Sequence, residues 1–131
     1  MSADFFIITP SNYTIQDFTQ RVPQPLYFVA QLEEERFLIR SNKWHGWIER
    51  WKDYELCNLG LDDYFSPEQI DQINNFDSAK IFMISASCRA TLYEISILIA
   101  DDGNILMDND TDALFIPGNE FVAKIRSGEK L

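Results

Sequence analysis

Catalytic equipment is scarce in this sequence. Its 131 residues hold one histidine, His45, and two cysteines, Cys57 and Cys88. A zinc site needs His or Cys ligands paired three or four residues apart, and His45 has no such neighbour. A thiol–imidazole dyad would have to be built from that same histidine. The five glycines form no phosphate-cradling loop. Ser85-Ala86-Ser87-Cys88-Arg89 lacks the flanking glycines that let a nucleophile stand on a tight strand-to-helix turn, so Ser87 is read as a helix cap. Positive charge is also in short supply. Eleven Lys and Arg stand against twenty-one Asp and Glu, a net charge of −10. Nucleic acids and anionic membranes are gripped by clustered Lys and Arg, so neither is an expected partner. No apolar run approaches the roughly 20 residues that span a bilayer, and Met1-Ser2-Ala3-Asp4 has neither the basic region nor the apolar stretch of a signal peptide. Two free thiols and no leader point to a reducing, cytoplasmic setting.

Apolar material is plentiful. Ten Phe, five Tyr and three Trp contribute to a hydrophobic fraction of 46%, which argues for a packed core despite the charge. A chain of this length buries roughly two-thirds of its unfolded surface and forms one domain, residues 1–131. No repeat, low-complexity tract or linker divides it.

The pattern along the chain alternates strands and helices. Asp4–Ile8 is a short aromatic and β-branched run, read as a buried strand ended by Pro10. Ile15, Phe18 and Val22 follow helical spacing behind capping side chains at Ser11–Thr14. Leu26–Leu32 and Arg36–Ile39 flank Glu33-Glu34-Glu35 as an antiparallel hairpin. Alternation over Trp44–Trp51 favours a third strand with Trp47 and Trp51 on one face, and a helix is the competing reading. Ser66-Pro67-Glu68-Gln69 is a capping box with proline at the first helical position. Lys80–Ser85 reads as a buried strand. Cys88–Ala100 is read as a helix from the spacing of Leu92, Ile95, Leu98 and Ile99, with a strand as the alternative because of the β-branched Ile95, Ile97 and Ile99. Asn104–Met107 is a strand, and Phe121, Val122 and Ile125 suggest a last helical turn. The expected fold is α+β: a single, mostly antiparallel sheet of about five to six strands, with two to four helices packed on it and no closed barrel.

Three stretches are candidate sites. Asp101, Asp102, Asp108, Asp110 and Asp112 form the densest acidic segment. Asp108, Asp110 and Asp112 match the first ligands of a calcium loop, but Ala113 and Asn119 stand where that loop needs Gly and Glu, so no metal or cofactor is expected. The segment reads either as turn-forming Asp and Asn or as an anionic lip for Lys or Arg of a partner. Asp62, Asp63 and Tyr64 combine charge with an aromatic anchor just before a helix. Phe65 would staple that helix. Trp44, Trp47 and Trp51, among Lys43, Arg50 and Lys52, are mostly core, with a protein-facing role for Trp47.

In size, acidity, aromatic content and want of a catalytic set, the whole chain resembles the small immunity proteins of bacterial toxin–immunity systems. The resemblance rests on profile, not on a motif, so it transfers no functional residue. It implies a non-enzymatic, stoichiometric inhibitor that neutralises a cationic toxin domain by covering its active site or substrate surface. The alternative is a small cytosolic adaptor. An enzyme using Asp108, Asp110 and a metal is the third reading. Oligomeric state and partner identity are open at this stage.

Overall fold

The computed structural model describes residues 3–23, 26–51, 61–108 and 114–128. In chain order the elements are β1 (Ala3–Thr9), α1 (Ile15–Thr19), β2 (Phe28–Glu33), β3 (Arg36–Arg40), β4 (His45–Arg50), a 3-10 turn (Leu61–Asp63), α2 (Pro67–Asn74), β5 (Lys80–Ala86), α3 (Arg89–Ile99), β6 (Leu106–Met107), β7 (Ile116–Pro117) and α4 (Gly118–Arg126). The strands make one open antiparallel sheet in the order β2-β3-β4-β5-β1-β6-β7. The fold is α+β as expected. The sheet has seven strands, slightly more than the five to six expected. The two-residue β7, joined to β6 through Leu106–Pro117 and Met107–Ile116, carries too little periodicity to be read from sequence.

Local chemistry explains most boundaries. Ser66 Oγ accepts from the Gln69 N–H at 3.2 Å, and Gln69 Oε1 accepts from the Ser66 N–H at 2.9 Å, closing the capping box that starts α2. Phe65 and Ile70, on either side of that cap, share one apolar cluster, as a staple requires. At α1, the Thr14 N–H donates to the Asp17 carboxylate at 2.6 Å. The cap of α3 is Cys88, one residue beyond the expected Ser87. The helix itself forms because Leu92, Ile95 and Ile99 all turn one way and are fully buried. The competing helix at Trp44–Trp51 gives way to β4, which pairs along both edges: Trp47 with Leu38 on β3 and with Ser85 on β5.

Register sorts side chains onto two faces. Phe37, Ile48, Ile84 and Phe5 form one row across β3, β4, β5 and β1. That face meets Phe18 of α1, Leu92 and Ile95 of α3, and Phe121 and Val122 of α4. Among the described residues, the opposite face is covered over β5, β1 and β6. There Phe6, Ile8, Ile81 and Met83 meet Trp51, Phe65 and Ile73 of α2. Over β2–β4 the described residues leave it lightly covered, with Phe28, Leu38, Trp47, Arg36, Arg40 and His45 on it, all exposed or half-buried.

Two glycines are demanded by close approach. A Cβ on Gly46 would strike the Ile95 side chain, because α3 lies directly on β4 there. A Cβ on Gly118 would strike the Ala100 carbonyl oxygen and lie 2.7 Å from that of Asp102, and neither backbone atom can swing aside. Gly118→Ala is therefore expected to lower the unfolding free energy by about 1–3 kcal/mol, the usual cost of overpacking. An unchanged denaturant midpoint would show that the α3–α4 contact is looser than described.

Candidate partner-binding surface

Antiparallel register gathers several chain reversals at one end of the sheet. Thr9 pairs with Lys80, and Arg36 pairs with both Glu33 and Glu49, so the close of β1, the start of β5, the β2–β3 turn and the close of β4 share that end. Acids concentrate in these reversals. Glu33, Glu34 and Glu35 form the hairpin turn, behind an irregularity in pairing between Gln31 and Glu33. The Arg50 N–H donates to the Glu35 carbonyl at 3.0 Å, tying the turn to β4. Arg36 lies 3.9 Å from Glu33 and 3.8 Å from Glu49, and Arg50 lies 4.0 Å from Glu35. The two Arg36 pairs, long and open to solvent, contribute little stability, on the order of 0–1 kcal/mol each. Glu33, Glu34, Glu35, Arg36, Glu49 and Arg50 line an open depression of about 200 Å³. Four carboxylates against two guanidinium groups leave its walls net negative.

The next residue along β4 extends this rim. The Trp51 N–H donates to the Ile81 carbonyl at 2.9 Å, which holds the indole in the second apolar cluster. Tyr64 stands edge-on against it, with ring centres 4.7 Å apart, yet remains 42% exposed. The 3-10 turn is closed by the Tyr64 and Phe65 N–H groups donating to the Leu61 carbonyl at 3.0 and 2.9 Å, and it presents Asp62 and Asp63 to solvent. A half-exposed tyrosine backed by a fixed indole and flanked by carboxylates is a rigid amphipathic anchor with little ordering entropy left to lose. The far end of the sheet differs in sign. Arg40, Lys43 and Arg89 stand there near the exposed Asp4.

Of the expected anionic lip at 101–112, the structure describes Asp101, Asp102 and Asp108, and they are engaged differently. Asp102 turns inward and accepts a 2.8 Å hydrogen bond from Arg21, another from the Tyr13 hydroxyl, and one from the Asn104 N–H at 2.8 Å. Burial pushes its carboxyl pKa up, but the bonds from Tyr13, Asn104 and Arg21, with the Arg21 charge, outweigh that and hold it below the ordinary range. Burial and the same carboxylate push the Tyr13 hydroxyl upward. The group joins the end of β1, the segment after α1 and the end of α3, so its work is structural. Asp101 lies 3.7 Å from Arg126. Asp108 is half-buried and its N–H donates to the Phe6 carbonyl at 2.9 Å. Asp110 and Asp112 lie outside the described residues. Trp47 lies on the lightly covered sheet face, edge-on to His45 with 5.1 Å between ring centres and 5.9 Å from the guanidinium of Arg36, which lines the depression. Cys88 is exposed, and its thiol pKa is lowered chiefly by hydrogen bonding with Thr91. Among the described residues no group of three or more His, Cys, Asp or Glu could hold a metal ion. Compared with family models, curated proteins and solved structures, the chain matches none.

Asp62, Asp63 and Tyr64 are the sequence-derived candidates that this end brings together. Glu33, Glu34, Glu35 and Glu49 join them, and the sequence reading treated the first three only as a turn. The signal was the run of three like charges at a hairpin reversal, a costly place to put them unless a cation arrives.

The Asp102 group makes its own prediction. Asp102→Ala leaves Arg21 and Tyr13 without their shared acceptor and is expected to cost about 1–3 kcal/mol. A carboxyl with a lowered pKa in the folded state stabilises fully above its unfolded value, and that stabilisation fades as pH falls through the lowered folded value. The gap in thermal midpoint between wild type and variant should therefore close on acidification. A gap independent of pH would show that the carboxylate charge does not matter.

Proposed function

We propose that the protein is a stoichiometric inhibitor that binds a cationic protein, most simply an immunity protein that neutralises a toxin domain in the cytoplasm. The observation that carries this reading is the collection of Glu33, Glu34, Glu35 and Glu49 at the end of the sheet where Trp51 also supports the half-exposed Tyr64, with Asp62 and Asp63 just before it in the chain. Catalysis, a cofactor and a nucleic-acid partner have no part in it.

The physics is direct. A nuclease-type toxin grips phosphates with a basic surface. A carboxylate rim steers such a surface into encounter and competes with the phosphates for its cations. Tyr64, held by Trp51, then supplies the packed contact at the centre, where binding energy concentrates. The net-negative depression beside the hairpin has room for the head of an Arg or Lys. An adaptor would use the same surface without blocking a reaction, and one titration separates the two. A basic toxin domain encoded beside this chain should lose activity linearly as the protein is added, reaching zero at one equivalent. Tight binding that leaves the activity intact would favour the adaptor, and absence of binding would remove the inhibitor reading.

A further inference from the structure

The two edges of the sheet are guarded very differently. The β7 edge is two residues long and contains Pro117, which has no N–H to offer a further strand. The β2 edge is six residues long, Phe28-Val29-Ala30-Gln31-Leu32-Glu33, and no other described strand pairs with its outer side. It lacks the proline and lysine that usually blunt an edge, and the one guard it carries is the irregularity in pairing at Leu32, between Gln31 and Glu33. It instead exposes Phe28 (49%) and Leu32 (48%), with Leu26 (76%) just before it. These are three of the five large apolar side chains most exposed in the described residues. The ends of this edge also differ in charge. Glu33, Glu34 and Glu35 stand at one end, and at the other the Arg40 guanidinium lies 4.6 Å from the Phe28 ring centre.

An edge with apolar side chains along it and opposite charges at its two ends complements itself when it runs antiparallel. We infer that the chain forms a twofold dimer by antiparallel pairing of its two β2 strands. With the axis at the small Ala30, Phe28 of one copy stands opposite Leu32 of the second. The Arg40 lying over Phe28 then faces the acidic turn of that second copy. Symmetry repeats each contact, and the two sheets become one. The occupant is a second copy because the edge supplies both halves of the charge match itself. Repulsion between two chains of net charge −10 opposes pairing at low salt and is screened beyond about 8 Å at physiological ionic strength. The inhibitor reading does not depend on this dimer, since a monomer could still inhibit.

Sedimentation equilibrium of the intact chain tests the inference. The wild type should show twice the 15.3 kDa chain mass, with dissociation only on dilution. Leu32→Lys places charge on the edge at an exposed position, and it should sediment as a monomer with unchanged circular dichroism, its thermal midpoint lowered only by the lost association. Arg40→Glu should weaken dimerisation about fivefold, because two exposed ion pairs are lost. Adding Glu33→Lys and Glu34→Lys to Arg40→Glu should restore it. A wild type that stays at the monomer mass throughout would overturn the inference. So would a Leu32→Lys variant that remains dimeric, since the contact would then lie elsewhere.

Discussion

Neutralising Glu33, Glu34, Asp62 and Asp63 together, as Gln and Asn, is expected to slow association with a cationic partner by about tenfold or more at low salt. Electrostatic steering raises encounter rates by roughly ten- to a thousandfold, and these carboxylates stand exposed where the sheet's reversals meet. The variant's association rate should also lose most of its dependence on ionic strength, while dissociation changes little. Tyr64→Ala should behave in the opposite manner. A central aromatic anchor contributes about 2 kcal/mol or more, so dissociation should quicken roughly thirtyfold with the association rate nearly kept. Stopped-flow measurement over a salt series separates the two effects. Association that is unmoved by the fourfold neutralisation would place the partner's contact on another surface.

Ile84→Asp is expected to abolish folding. Ile84 lies on β5, the fourth of seven strands, and is fully buried. Its neighbours in register are Phe5 on β1 and Ile48 on β4, both shut away from solvent. No cation faces it in that row, so the carboxylate would be buried unpaired or protonated. Either outcome costs several kcal/mol out of a total stability of about 5–15 kcal/mol. Loss of near-ultraviolet circular dichroism and of a cooperative transition would be the reading. A soluble Ile84→Asp protein with wild-type unfolding would contradict the placement of the central strand. Ile84→Val makes the milder control and should cost about 0.5–1.5 kcal/mol.

The parts of the fold set by short-range chemistry were legible in the sequence. The capping box at Ser66–Gln69, the hairpin around Glu33–Glu35 and the β1 run each announce themselves within a few residues, and all three occur. The ambiguity at Cys88–Ala100 was real, since the β-branched Ile95, Ile97 and Ile99 suit a strand while Leu92, Ile95 and Ile99 suit a helix. Packing decided it, because Leu92, Ile95 and Ile99 share one face only as a helix. The ambiguity at His45–Arg50 was decided the other way by pairing partners on both sides, which sequence order does not reveal. The short β7 is set by its pairing with β6, a long-range contact.

The candidate surface was half legible. Asp62, Asp63 and Tyr64 were found because acid and aromatic stand together in the chain. Glu33–Glu35 and Glu49 reach the same end only through antiparallel register, a long-range fact. Asp102 misled for the converse reason. Its place in a dense acidic run suggested exposure, whereas Tyr13 and Arg21, 89 and 81 residues away in sequence, draw it inward. A count of acids cannot distinguish a carboxylate that organises the fold from one that meets a partner. Only the location of the compensating cation does that.

Hydrogen–deuterium exchange on the complex with a cationic partner tests the central claim most directly. Amide protection should concentrate at Glu33–Glu35, Glu49–Trp51 and Leu61–Phe65, with the Arg40–His45 turn and the start of α3 unchanged. Protection confined to that Arg40, Lys43 and Arg89 end, with the acidic reversals exchanging as in the free protein, would contradict the account.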